Sequence, residues 1–229
     1  MDYDKDISKE TLRFLNRSVP RIKCFLSVNR SLGIYPRDEE LRGDIELACR
    51  NDMPIHIFLH GLAVAFIALY LSRGDDDIDR GLILSGGILH DIGKIHSIND
   101  TNKDLSHARV GYEILKSTQR YREAIISLYH LITDFENPFI TKEARLINVA
   151  DKAVSHEVLV GIEKRFEDLR DRYPDYKHAF TAQNEDIYKA FWEEHSGSDW
   201  SDFMQIANDF IQSLKRDALH FVGEDKRII

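Results

Sequence analysis

Six side chains of the kind that bind metals stand inside stretches that are otherwise apolar: His60, His90, Asp91, His107, His130 and Asp151. A polar group set into a core-facing stripe is costly unless it is hydrogen-bonded or ligated. One such residue is readily a satisfied core histidine. Six, delivered one helical segment after another beyond residue 53, require an architecture that brings them to one interior point, which a helix bundle can do. The densest part is Leu89-His90-Asp91-Ile92-Gly93-Lys94. Neighbouring residues on a helix point about 100° apart, so an ion against the end of the helix is within reach of both His90 and Asp91. Gly93 reads as a helix stop, and Lys94, one turn beyond His90, can reach something bound at the metal.

The rest of the chain fits that architecture. Ile7–Leu15 and Ile22–Val28 carry loose helical spacing, punctuated by Pro20, and Asp38–Arg50 reads as a helix. Asn51-Asp52-Met53-Pro54 is a helix-start signal for the apolar run 55–71. That run is at the short edge of a membrane span, but it contains His56 and His60 and is flanked by charge, so a buried core helix is expected. Asp75–Asp79 starts the next helix, which contains Gly86-Gly87. Such a pair is tolerable where another backbone packs closely. Ile95–Leu105 reads as a loop. Ser106 caps a helix carrying His107, Tyr121–Thr133 is a helix with His130 near its end, and Thr141 starts one that runs through Asp151. Further helices are expected over Glu157–Tyr173, Asp175–Glu194 and Asp199–Phe221. No strand alternation and no internal repeat stand out, so the expected class is all-α. The expected division is a helical cap at 1–50, a metal-binding core at 51–160 and a C-terminal helical extension at 161–229 packed on that core.

Composition narrows the function. A net charge of −8 argues against an extended nucleic-acid footprint, which needs clustered Lys and Arg. It leaves room for a small phosphorylated substrate, since bound metals supply local positive charge. Two cysteines, Cys24 and Cys49, form neither a disulfide framework nor a Cys-x-x-Cys motif, and the acidic start Met1–Asp6 lacks the features of a signal peptide. The expectation is a cytoplasmic protein that does not enter membranes. There is no Gly-x-Ser-x-Gly elbow, no dinucleotide-binding glycine motif and no P-loop.

The order His, His-Asp, His, His, Asp resembles that of the HD-domain superfamily of metal-dependent phosphohydrolases, and Leu89–Lys94 has the form typical of its HDIG branch. The surrounding residues His60–Ala65, His107–Leu115 and Val149–Lys152 support the likeness, which covers roughly residues 55–160. It implies an HD-domain helical bundle in which His60, His90, Asp91 and Asp151 hold one metal. Asp91 would bridge to a second ion held by His107 and His130. All donors are nitrogen or oxygen, which suits Mn, Fe, Co, Ni or Zn alike. The implied reaction is attack of metal-bound hydroxide on the phosphate ester of a nucleotide or similar small metabolite, with Asp91 and Lys94 as catalytic residues and Lys94 neutralising a non-bridging oxygen. His56 and His96 are candidates for a leaving-group or outer role. His156, His178, His195 and His220 fall outside the pattern. The same donors with the same lysine also resemble the di-iron HD oxygenases. A metal-containing regulatory or binding module without turnover is the third reading.

Overall fold

The computed structural model describes residues 3–99, 106–176 and 178–222. The elements in order are α1 (Tyr3–Val28), α2 (Asp38–Arg50), α3 (Ile55–Leu71), α4 (Arg80–Leu89), α5 (Lys94–Asn99), α6 (His107–Ser117), α7 (Tyr121–Leu128), α8 (Lys142–Asp151), a hairpin of β1 (Val154–Ser155) and β2 (Val158–Leu159), α9 (Ile162–Arg172), α10 (Ala182–Ser196) and α11 (Trp200–Val222). The fold is all-α but for that hairpin.

Helix α3 is the axis of the molecule. It is apolar all round, and every residue of it except His56 is buried, as a helix enclosed on all sides must be. Helices α4, α8, α10 and α11 pack around it. The closest approach is to α4, and glycines permit it. A β-carbon at Gly87 would stand 2.7 Å from Ala65 Cα, and one at Gly61 would stand 2.6 Å from the carbonyl oxygen of Ile88. The two backbones touch, so His60 on α3 lies beside the residues that follow the end of α4. Starts are set by side-chain caps. Asp79 Oδ1 accepts from the Leu82 N–H at 3.0 Å, Ser106 Oγ from Arg109 at 3.3 Å and Thr141 Oγ1 from Ala144 at 3.2 Å.

Several expectations change. Pro20 does not divide α1, which runs through it. Pro20 is exposed, while Val19, Ile22 and Leu26 on the opposite face are fully buried, and that packing outweighs the ring's local cost. The segment after Gly93 begins as helix α5 rather than a loop; residues 100–105 lie outside the described residues. Gly93 adopts no left-handed conformation. It is the point where α6 comes closest, and a β-carbon there would overlap the His107 carbonyl and the Gly111 amide. Helix α7 stops at Leu128, leaving His130 in the turn beyond it. The stretch expected to be helical from Glu157 contains β2 of the hairpin, and α9 starts only at Ile162. Helix α10 starts at Ala182, after Thr181 as its cap, and not near Asp175.

One hydrophobic cluster runs from Phe14 on α1 through α3 to Ala218 on α11. Phe25 of α1 stacks on Phe66 of α3 and on Phe210 of α11, each at 4.5 Å between ring centres. Gly87→Ala places a methyl group against the α3 backbone and is expected to lower stability by about 1–3 kcal/mol, read as a lower urea midpoint at unchanged slope. An unchanged midpoint would show that α3 and α4 are not in backbone contact there.

Candidate metal centre

The six side chains are delivered by five local devices. His60 comes from the first half of α3. His90 and Asp91 lie in the tight turn between α4 and α5, closed by hydrogen bonds from the Ile92 N–H to the Leu89 carbonyl and from the Lys94 N–H to the Asp91 carbonyl, both 3.0 Å. His107 opens α6, His130 follows α7, and Asp151 closes α8. All six converge.

They converge around Asp91, and its two oxygens face different partners. Oδ2 is 3.5 Å from His90 Nε2 and 3.8 Å from His60 Nε2. Oδ1 is 3.4 Å from His107 Nε2 and 3.6 Å from His130 Nε2. Donor atoms of His60, His90 and Asp91 therefore form one group able to hold an ion, and those of Asp91, His107 and His130 form a second, with each group's atoms within 4.8 Å of one another. Asp151 joins the first side, its Oδ1 lying 3.0 Å from His60 Nε2 and 3.8 Å from His90 Nε2.

The histidines are held ready to ligate. His90 Nδ1–H donates to the Gly87 carbonyl at 2.8 Å, His130 Nδ1–H to the Ser127 carbonyl at 2.6 Å, and His60 Nδ1–H to the His156 carbonyl. A carbonyl only accepts, so Nδ1 carries the proton and, in the neutral ring, the Nε2 lone pair faces inward. Burial pushes the pKa of His90, His107 and His130 down, which keeps these rings neutral. His90 Nε2 is buried without a hydrogen-bond partner. An orphaned basic nitrogen among carboxylates fits a cation, and the donor set of imidazole and carboxylate suits a divalent transition metal.

Charge in the centre is balanced by lysines. Burial acts to raise the pKa of Asp91, but the charge of Lys94 acts against it, and the group lies well below the usual carboxylate range. Asp151 is likewise held low, against the effect of burial, chiefly by Lys152. Lys94 Nζ donates to Asp91 Oδ2 at 2.7 Å, on the side of that carboxylate that faces His60 and His90. Lys152, 6% exposed, donates to Asp151 Oδ2 and, at 3.2 Å, to the His130 carbonyl, tying the two sides together.

The sequence reading missed this outer layer. Asn148 Nδ2 donates to the carbonyls of Tyr129 and Leu131 at 3.0 and 2.7 Å, pinning the backbone on both sides of His130, and the buried Tyr188 hydroxyl of α10 donates to Asn148 Oδ1. Ser127 Oγ donates to the His90 carbonyl at 2.9 Å. His156, which the ligand order left out, serves through its backbone: at φ 55° it sits in the left-handed region in the hairpin turn and presents its carbonyl to His60. Lys152 did have a signal, its place beside Asp151. The others sit three or four residues from a ligand or far from it, with nothing in their spacing to mark them.

Of the remaining histidines, His56 Nδ1 is buried and unpartnered, and the ring lies near enough to Lys94, Glu157 and His60 to feel their charges. His96 is exposed and its Nε2 lies 3.2 Å from the Asn51 carbonyl. His195 stacks on Phe191 at 4.0 Å.

A family model, the HD domain, matches residues 57–154. No curated protein and no solved structure matches the chain.

Two sets of variants follow from this geometry. Asp91→Ala is expected to lose both ions and His107→Ala chiefly the one on its own side, as read by elemental analysis of purified protein; equal losses from both would mean that Asp91 does not bridge. His156→Gly is expected to keep the metal content, because only the carbonyl is used and glycine accepts the positive φ. His156→Val is expected to cost about 1–2 kcal/mol and weaken metal retention in the same analysis.

Proposed function

The chain carries an HD domain over residues 57–154, the domain of the superfamily of metal-dependent phosphohydrolases, and on that premise we propose that it hydrolyses the phosphate ester of a nucleotide or similar small metabolite at a two-metal centre. The observation that carries this reading is the Asp91 carboxylate, with a histidine pair facing each of its oxygens. His60, His90, Asp91 and Asp151 would hold one ion, and Asp91, His107 and His130 the other. The chemistry two such ions supply is Lewis-acid polarisation of phosphoryl oxygens and a water of lowered pKa.

The residues of this chain account for the rest. Two carboxylates and two ammonium groups, Asp91 and Asp151 with Lys94 and Lys152, already balance, and burial keeps the rings of His90, His107 and His130 neutral. Added divalent ions therefore leave the centre positive, which favours an anionic phosphate ester. Among the described residues, the exposure of the centre is concentrated in two side chains. The side chains of Lys94 and His107 are 40% and 29% exposed, whereas those of His60, His90, Asp91, His130 and Asp151 are at most 10% exposed. Substrate would arrive past Lys94. Lys94 would turn from Asp91, once that carboxylate is neutralised by cations, to a non-bridging phosphoryl oxygen. Asp91 would keep both halves of the centre in register, and the backbone carbonyls behind His60, His90 and His130 would keep the Nε2 of those three rings unprotonated.

A reducing cytoplasm suits the free thiols of Cys24 and Cys49; no helix among the described residues is long and apolar enough to cross a membrane.

A screen of phosphomonoesters and phosphodiesters against protein loaded with Mn, Fe, Co, Ni or Zn tests the reading, and no turnover with any pairing would end it. Lys94→Ala is expected to keep its metal and lose about 10²–10³ in kcat/KM on whichever ester is hydrolysed. Wild-type kinetics in that variant would remove Lys94 from the phosphate contact.

A further inference from the structure

Away from the metal centre, a cavity of about 190 Å³ opens between the end of α3, the turn at 75–78, the first turn of α8 and the last turns of α10. It is smaller than the roughly 300–1,000 Å³ of drug-sized sites, so it suits a small occupant. None of the six ligand-type residues lines it. Asp151 stands six residues beyond Arg145 on α8, about 9 Å along the helix axis.

The polar groups on the lining are engaged, with one exception. Ser72 Oγ donates to the Leu69 carbonyl at 2.8 Å. Asp75 accepts from the Asp77 N–H at 3.0 Å and from Lys142 Nζ at 3.1 Å, and Lys142 Nζ lies 3.5 Å from Asp77 Oδ2 as well. His195 Nδ1–H donates to the Phe191 carbonyl at 2.8 Å. The exception is the half-buried Arg145. Its Nε is buried without a hydrogen-bond partner, and among the described residues no nitrogen of its guanidinium has a hydrogen bond or a carboxylate partner. The group lies against the Phe135 ring, 5.6 Å from its centre. Arg80 and Arg165 also bury an unpartnered Nε, but each has another nitrogen in use. Arg80 Nη2 donates to the carbonyls of Ser72 and Asp75 at 3.1 Å each, and Arg165 Nη1 donates to Asp168 Oδ2 at 2.5 Å.

Lys142 is shared between Asp75 and Asp77, so the charge on this lining that has no ion pair is that of Arg145. A buried N–H without an acceptor has given up water and gained nothing in exchange. A guanidinium presents its donors as a flat fork that matches the two oxygens of a carboxylate. The other walls are Leu71, Ile78, Leu146 and Phe191. They offer no side-chain donors to the further oxygens of a phosphate, and the Asp75 carboxylate disfavours a second negative charge. An ion with one carboxylate and a short apolar body satisfies both parts of the cavity.

We infer that this cavity is a ligand site, separate from the metal centre, for a small organic monocarboxylate whose oxygens pair with the guanidinium of Arg145 and whose apolar body lies against Leu71, Ile78, Leu146 and Phe191. An occupant would tie the start of α8, the helix that ends at Asp151, to the end of α10, whose Tyr188 holds Asn148.

The test is calorimetric titration of the full, Mn-loaded chain with acetate, butyrate and benzoate in turn, at constant ionic strength. Butyrate or benzoate is expected to saturate one site per chain and to bind more tightly than acetate. Arg145→Gln is expected to weaken that binding about tenfold or more. The substitution breaks no ion pair, and its melting curve is expected to match the wild type. Arg145→Lys, which keeps the charge without the fork, is expected to fall between the two. Benzyl alcohol, of the same shape as benzoate but uncharged, is expected not to bind. Removing the metal with a chelator is expected to leave benzoate binding unchanged. Absence of saturable binding of all three carboxylates up to about 10 mM, a range that covers weak ligands, would overturn the inference. So would equal affinity in the wild type and Arg145→Gln, or benzyl alcohol binding as tightly as benzoate. Loss of binding with the metal would also overturn it, by placing the carboxylate on the ions.

Discussion

Two carboxylates buried beside neutral imidazoles set the terms for this structure. An ionised group in a low-dielectric interior is tolerable only with partners. Asp91 and Asp151 each have a lysine, and the protons of His60, His90 and His130 have been sent the other way, to backbone carbonyls. Everything around the centre serves that arrangement. The glycine contact between α3 and α4 brings the first histidine to the His-Asp pair, Gly93 lets α6 bring His107 across, and Asn148 fixes the chain on either side of His130. The helices are a scaffold for polar groups that would otherwise be the least stable parts of the core.

Much of this was legible in the sequence, for a physical reason. A histidine or aspartate in an apolar run is conspicuous because burial penalises it, so the cost that demands a partner is also what marks the residue. Helix starts at Asp79, Ser106 and Thr141 were legible because a capping side chain acts within three residues of itself. The glycines of α4 were legible as a site of close packing, though not the face of α3 they meet. What escaped the reading depends on long-range contacts. Pro20 looked like a break because the buried face that overrides it belongs to α2, α3 and α11 as much as to α1. The hairpin at 154–159 has two residues to a strand, too short for any alternation to show. Helix α5 has six residues, and the polar composition around it resembles a loop.

The outer parts of the chain are bound into the same core. Phe25 and Phe210 close over Phe66 on the central helix, and Tyr188 reaches from α10 to Asn148, one bond away from the backbone flanking a ligand. The flanks carry no ligand themselves. Their part is to cover the back of the centre and to hold still the groups that orient its rings, while among the described residues its most exposed side chains are Lys94 and His107.

The hairpin turn at His156 has a consequence for where the functional unit ends. The family match stops at residue 154, by which point all six ligand-type side chains have appeared in the chain. The carbonyl that receives the His60 Nδ1 proton comes two residues later, on a turn held in place by β2, which in turn is fastened to α11 through Asn208, whose Oδ1 accepts from the Leu159 N–H at 2.9 Å. A chain ending at residue 154 would contain every donor and still leave His60 free to swap tautomers and present a proton on Nε2 where a lone pair is wanted. The boundary of the domain as a pattern of ligands and its boundary as a chemical device are therefore different, and the second lies in the part of the molecule whose sequence gives no hint of chemistry.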